Sequence, residues 1–444
     1  MIENENNQEK EIKKPNRSGF LKGVFTGAVL MGAIIICRNE FIHQANQWKQ
    51  QLTTDTGSDE EANELNTNRI AQKSAYIQRL IDQYFLFDED YEEMEESMYA
   101  GLMAGLKDPY AAYYSADEMD EVMEDTTGVY YGIGAVVSQN IETGIITITR
   151  VYPDSPAEKA GMMAGDMLYK VDGIEATGEE LDMLVSQHVR GEQGTSVEIE
   201  VYRESTGEYL TLYPVRDKIE TETVSYEMLE DDIGYILVSQ FENVTDKQFR
   251  TAVEELEAEG MQKLVLDLRG NTGGTLDSAL GMMSYVLPDG LLFYDEDKNR
   301  SGTKYVSENG ALYQITYTQD NPEVTKKVFM EDGHQLDMPI VILVNGYTAS
   351  AAEAFSSSLR DFDWATLLGT KTYGKGIVQT MMTLGDGSMV KLTTSQYYSK
   401  SGYVIHQQGL EPDVELEFDI EAFVDNAYSK EADNQIQKAV ELLR

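Results

Sequence analysis

The stretch Val344-Asn345-Gly346-Tyr347-Thr348-Ala349-Ser350-Ala351-Ala352-Glu353 closes the apolar run that begins at Met338. An apolar run of strand length delivers a serine into a turn of small residues, and the spacing beyond it predicts a helix over Ala351–Phe362. The preceding segments repeat the pattern. Tyr235–Ser239 reads as a strand, Asp246–Glu259 as a helix, Leu264–Leu268 as a buried strand and Thr275–Leu287 as a helix. Leu292 to Val328 carries polar hairpin patterns. Strands that alternate with helices predict an α/β core with a mainly parallel sheet. Asp433–Leu443 reads as a closing amphipathic helix.

Twenty-five residues after Ser350 comes Thr372-Tyr-Gly374-Lys375-Gly376-Ile-Val-Gln379. A serine attacks a carbonyl only if something accepts its proton. A lysine amine serves if burial lowers its pKa toward working pH. On residues alone, Ser350 also fits a helix N-cap or a packing position. Gly369-x-x-x-x-Gly374-Lys375 has the spacing of a phosphate loop, but Gly376 stands where the magnesium-binding Ser or Thr belongs, so that reading fails.

At 444 residues the chain suggests two or three domains. It holds 78 acidic and 35 basic residues, for a net charge of −43. Such a surface repels nucleic acid and favours cationic partners. Cys37 is the only cysteine, which excludes an intramolecular disulfide. His43, His188, His334 and His406 are scattered, so neither a metal nor a cofactor is expected. Gly23 to Cys37 is uncharged and mostly apolar, with Lys13, Lys14, Arg17 and Lys22 ahead of it. That predicts an uncleaved single-pass anchor over 19–37, with residues 1–18 cytoplasmic and the remainder outside the cytoplasm. A cleaved signal peptide is the competing reading, and no small-x-small site supports it. Residues 38–67 read as a polar linker.

Residues 68–127 carry helical periodicity, broken at Leu106-Lys-Asp108-Pro109-Tyr110. From about Gly128 the period changes to two. Gly132-Ile133-Gly134 enters a strand, Ser155-Pro156-Ala157 starts a short helix, and Asp172-Gly173 closes a hairpin. A helix over Leu181–Val189 follows. This order resembles a PDZ domain over 128–217, a module that adds a chain end to its edge while loop amides hold the carboxylate.

The chain as a whole, from about Ile70 to the C-terminus, resembles the C-terminal processing (tail-specific) serine peptidases. The resemblance rests on Asn345, Thr348, Ala349, Ser350, Ala351 and Glu353, on Gly374, Lys375, Gly376 and Gln379, and on Leu264-Val-Leu-Asp-Leu-Arg269-Gly-Asn271-Thr272-Gly273-Gly274. Thr272 replaces the family's usual proline. The resemblance implies a crotonase-like α/β core over 218–430 with an inserted PDZ domain, an N-terminal helical arm that dimerises in some members, and a C-terminal helix over 431–444. It implies Ser350 as nucleophile, Lys375 as base, and Gln379 orienting the lysine from one turn on if a helix continues there. The oxyanion donors expected are Ala351, at the helix start, and Gly273 from the glycine loop. Gly132, Ile133, Gly134 and Arg190 are the expected peptide-binding residues, and Arg190 matches a position that links peptide binding to activation in some relatives. Asp267, Arg269 and Asp361 are read as structural. The implied substrates are proteins or peptides with apolar C-termini. The rivals are a catalytically idle PDZ adaptor and a serine esterase or amidase acting on cell-wall material.

Overall fold

The computed structural model describes residues 64–141, 143–229, 232–331, 335–426 and 429–444. The expected anchor over 19–37, the segment before it and nearly all of the linker lie outside the described residues. Among the described residues no helix is long and apolar enough to cross a membrane. The described residues divide into two units, one up to Tyr91 and one from Glu92. In the first, helix α1 (Thr67–Tyr84) is capped by Asn66, which accepts from the Arg69 N–H, and it buries none of its residues.

Helix α2 (Tyr91–Ala104) leads into the second unit. Pro109 forbids its continuation, and a short strand β1 (Ala112–Tyr114) and helix α3 (Met119–Thr127) follow. Strand β2 (Val129–Gly132) opens the small domain. It continues as β3 (Ala135–Gln139), β4 (Ile146–Val151), α4 (Pro156–Lys159), β5 (Met167–Val171), β6 (Ile174–Glu175), α5 (Leu181–Leu184), β7 (Ile199–Arg203) and β8 (Glu208–Leu212). Its main sheet runs β3-β4-β5-β7-β8, so β3 is an edge strand. The expected helix over Leu181–Val189 is one α-turn followed by a π-helical turn at Val185–Val189. Ile146, Ile148, Leu184, Ile199 and Val201 form a core private to this domain. Strand β9 (Asp217–Glu220) then returns to pair with β2.

The large domain contains two sheets. Strands β10 (Val224–Met228), β11 (Ile233–Val238), β12 (Lys263–Asp267), β17 (Ile340–Val344), β18 (Ala365–Gly369) and β21 (Val414–Glu415) form the first, parallel throughout except for β10. Helices α6 (Thr245–Glu259), α7 (Leu276–Val286) and α8 (Ala351–Asp361) cover one face. Past the short α9 (Ile420–Asp425), α10 (Asn434–Leu443) covers the other through Ile436, Ala439, Val440 and Leu443. Burial on both faces explains why Ile340–Val344 is apolar at every position. The second sheet contains β1, β13 (Gly290–Asp297), β14 (Gly302–Glu308), β15 (Ala311–Tyr317), β16 (Thr325–Glu331), β19 (Ile377–Thr383) and β20 (Met389–Ser399). Strand β20 joins the arm to the core, since it pairs with β1, β13 and β19.

Candidate active site

Ser350 stands between β17 and α8 with φ 58° and ψ −120°. For a residue with a Cβ this backbone costs about 1–3 kcal/mol, and it persists only where the surroundings enforce it. Here they do. Asn345 Oδ1 accepts from the Gly270 and Tyr347 amides, Thr348 Oγ1 donates to Leu268 O, and the Ala349 N–H donates to Asn271 O. A serine displayed on a strained strand-to-helix turn has the local geometry of an exposed nucleophile.

Glu353, fully buried in the first turn of α8, ties that turn to the lysine. Its Oε2 accepts from the N–H of Ser350 at 3.0 Å and from that of Lys375 at 2.8 Å. Its Oε1 accepts from the Gly374 N–H and from the Thr372 hydroxyl. Burial pushes this carboxyl above its ordinary value, and the four donors pull the other way. On the carbonyl side the phenol of buried Tyr397, on β20, lies within hydrogen-bond distance of both Ser350 O, at 2.7 Å, and Lys375 O. Serine and lysine are thus locked to each other through one carboxylate and one phenol. Gly374 and Gly376 permit this: a Cβ at Gly376 would lie 2.4 Å from His406 N, and one at Gly374 2.9 Å from Gly409 N.

The Lys375 side chain is half-buried. Loss of water around the ammonium, and then the positive charge of Lys391, hold its pKa below the ordinary lysine value, against the pull of Asp108 and Glu353. Its Nζ lies 4.4 Å from the centre of the Tyr110 ring. No hydrogen bond joins it to Ser350 in this state.

Gln379 departs from expectation. Residues 377–383 form strand β19, not a helix, because Ile377–Thr383 pairs along β20. The Gln379 amide donates to its cross-strand neighbour Thr393 at 3.2 Å and makes no bond to Lys375. Gly273 needs a second correction. A Cβ there would lie 2.6 Å from Ser350 Cβ and 3.0 Å from Ala351 N, so the loop does approach Ser350. Its N–H, however, donates to the buried Asn271 Oδ1 at 2.8 Å and is not free for an oxyanion. The adjacent Gly274 N–H and the Ala351 N–H make no hydrogen bond among the described residues. The Arg269 guanidinium binds Asp267, Asp433 and Gln435, fastening the loop strand to the start of α10. Asp361 accepts from the Ser401 N–H.

In the small domain, Gly132, Ile133, Gly134 and Arg190 line one apolar pocket with Val137, Met162 and Val185. The carbonyls of Ile133 and Gly134 accept from Ala157 and Tyr152, while their own amides have no partner among the described residues. Arg190 lies over the Tyr130 ring and is ion-paired with Glu124 on α3.

Sequence reasoning named Glu353 without a role, although Ser-x-x-Glu at a helix start announces a carboxylate returning to the N-cap amide. Tyr110 and Asn271 stand in the sequence only as parts of a helix break and of the glycine-loop stretch, and Tyr397 carries no signal there. Each is brought to the site by pairing or packing between distant segments, which no local spacing encodes.

Residues 232–416 match Peptidase family S41, and residues 147–203 match a PDZ domain. The carboxy-terminal processing protease CtpA of Bacillus subtilis (strain 168) is 34% identical over 343 residues, covering 77% of this chain and 68% of the relative. The chain belongs to peptidase family S41. A probable CtpA-like serine protease of Staphylococcus haemolyticus (strain JCSC1435) is 33% identical over 78% of this chain and 64% of its own length. The chain thus spans about two thirds of the length of these relatives. Among solved structures, the photosystem II D1 C-terminal processing protease aligns over 82% of this chain and 92% of its own, at 24% identity and a TM-score of 0.42.

Proposed function

We propose that this S41 member is a serine endopeptidase that captures the C-termini of protein substrates in its PDZ domain and cleaves them with a Ser350–Lys375 dyad. The observation that carries the reading is the shared anchoring of the two residues. Glu353 binds both N–H groups, Tyr397 faces both carbonyls, and the lysine's pKa is depressed. In the reaction, neutral Lys375 takes the Ser350 proton as Oγ attacks the peptide carbonyl, then protonates the leaving amine; water releases the acyl group by the same route. The amine reaches Oγ by rotating off the Tyr110 ring. The oxyanion is received by the Ala351 N–H, with Gly274 in place of Gly273 as the second donor. Gln379, on β19 just past the lysine loop, adds no charge beside the amine.

The free Ile133 and Gly134 amides support carboxylate capture, and edge strand β3 leaves a place for an added peptide strand. Met98, Leu102 and Leu106, exposed in and just past α2, are assigned to a second copy of the arm. The apolar run at Gly23–Cys37 supports a membrane anchor with the catalytic domain outside the cytoplasm. One observation favours the idle-adaptor reading, namely that Lys375 rests on Tyr110 and not on Ser350. Labelled peptides with free or amidated C-termini, titrated against the full chain and its Ser350→Ala variant, separate the two readings. Tighter binding of free ends to both proteins, with cleavage by the wild type alone, is expected. Equal affinities would remove the tail-reading role, and a wild type that binds but never cleaves would leave an adaptor.

A further inference from the structure

The peptidase match begins at residue 232 and the PDZ match at residue 147, yet the amine of Lys375 is covered by a residue that precedes both. Tyr110 belongs to the turn after α2. Its N–H is held by Asp108 Oδ1 at 2.9 Å, and Ala111 N–H donates to Asp108 O. Two residues on, β1 pairs antiparallel with β20, Ala112 opposite Lys391 and Tyr114 opposite Met389. This register brings a second tyrosine to a second lysine: Lys391 Nζ donates to Tyr114 OH at 2.7 Å. One short segment, residues 108–114, therefore supplies the ring over Lys375, the anchor of Lys391 and the carboxylate of Asp108.

Resting on the dyad reading above, we infer that Tyr110 is a positioning residue for the base, and that the catalytic site is incomplete without the 108–114 segment. The charged and titratable groups around the amine come from two other elements, Lys391 from β20 and Glu353 from α8, and from Tyr110's own turn, Asp108. Tyr110 also bonds Tyr373, two residues before Lys375, and burial keeps its phenol protonated. Two effects of the ring oppose each other. Its face attracts the ammonium, which favours the charged form. Its bulk excludes water, which favours the neutral amine. Loss of water around the amine is the leading cause of the depressed lysine pKa, and the ring over Nζ is assigned a share of that shielding large enough to outweigh its attraction for the ammonium.

The test uses the full chain with Tyr110→Ala, Tyr110→Phe and Lys375→Ala. Two pH curves are read: kcat/KM on an unfolded protein substrate, and acetylation of Lys375 by acetic anhydride, followed by peptide mapping with exposed Lys247 as control. The second curve titrates the amine whether or not it catalyses. Tyr110→Ala should move both curves to higher pH by about one unit. At neutral pH its kcat should fall about tenfold with KM within about twofold. Tyr110→Phe, which keeps the ring, should restore both curves, and Lys247 should be unmoved throughout. If Lys375→Ala still cleaves, the dyad reading falls. If Lys375→Ala is silent while Tyr110→Ala leaves both curves in place or moves them to lower pH, the dyad stands and the role of Tyr110 is overturned.

Discussion

Replacing Glu353 by Gln tests whether the carboxylate organises the site. Oε1 serves Thr372 and Gly374, and Oε2 serves Ser350 and Lys375. A glutamine has one oxygen, so at least one backbone N–H must face its NH₂ group. The Thr372 hydroxyl, now the donor to a carboxylate, can rotate and accept from the NH₂ group instead. Gly374 is then the stranded donor, and one buried unpaired amide costs about 1–3 kcal/mol. Glu353→Ala strands three amides. Three at about 1–3 kcal/mol each, with water entering the vacated space to offset part, leave a loss of about 3–5 kcal/mol. Urea unfolding of the full chain measures both values. In activity, Glu353→Gln should lower kcat about 10–100-fold with little change in KM, since substrate does not touch this buried group. The sign of the pH effect follows from its charge. Glu353 raises the Lys375 pKa, so removing the charge moves the ascending limb of kcat/KM to lower pH. A Gln variant with wild-type kcat, or a limb displaced to higher pH, would refute the reasoning.

Burial pushes Asp295 up to about 6 from 3.8, so the folded state holds its proton more tightly and stability falls as pH rises between those values. Asp295→Asn should stabilise the chain by about 1–2 kcal/mol at pH 8, after discounting for partial exposure, and by little at pH 4; an equal gain at both, by urea midpoint, would contradict this. Glu124 holds the Arg190 guanidinium at the rim of the PDZ pocket. Glu124→Gln should therefore tighten binding of a free-carboxylate peptide up to about fivefold, an exposed ion pair being worth at most about 1 kcal/mol, and Arg190→Ala should weaken it. Fluorescence titration showing no change in either would exclude Arg190 from peptide capture.

Local pattern made the α/β core legible. Ile340–Val344 is apolar at every position because both faces of β17 are covered, and Thr245–Glu259 shows its stripe because one face packs on the sheet. The PDZ order was readable from Gly132, Pro156 and Asp172-Gly173, which mark turns. The second sheet was only partly readable. Strand β1 is held by pairing with β20 about 280 residues on, and half-exposed β19 carries no alternation that rules out the conditional helix around Gln379. That Ser350 and Lys375 lie in neighbouring loops was legible only through the family resemblance of the serine turn and the Gly-Lys-Gly stretch. The choice between Gly273 and Gly274 was not, because it depends on where the Asn271 side chain turns.

The central claim is that Lys375, as a neutral amine, activates Ser350. The pH dependence of kcat/KM on an unfolded substrate, measured for wild type beside Lys375→Arg and Lys375→Ala, tests it most directly. Guanidinium keeps the positive charge and the donors but stays protonated. The account predicts one ascending limb in the wild type, below the ordinary lysine value of 10.5, and no cleavage by either variant at any pH while both still bind C-terminal peptides. An arginine variant that cleaves, or a limb that survives in Lys375→Ala, would contradict it.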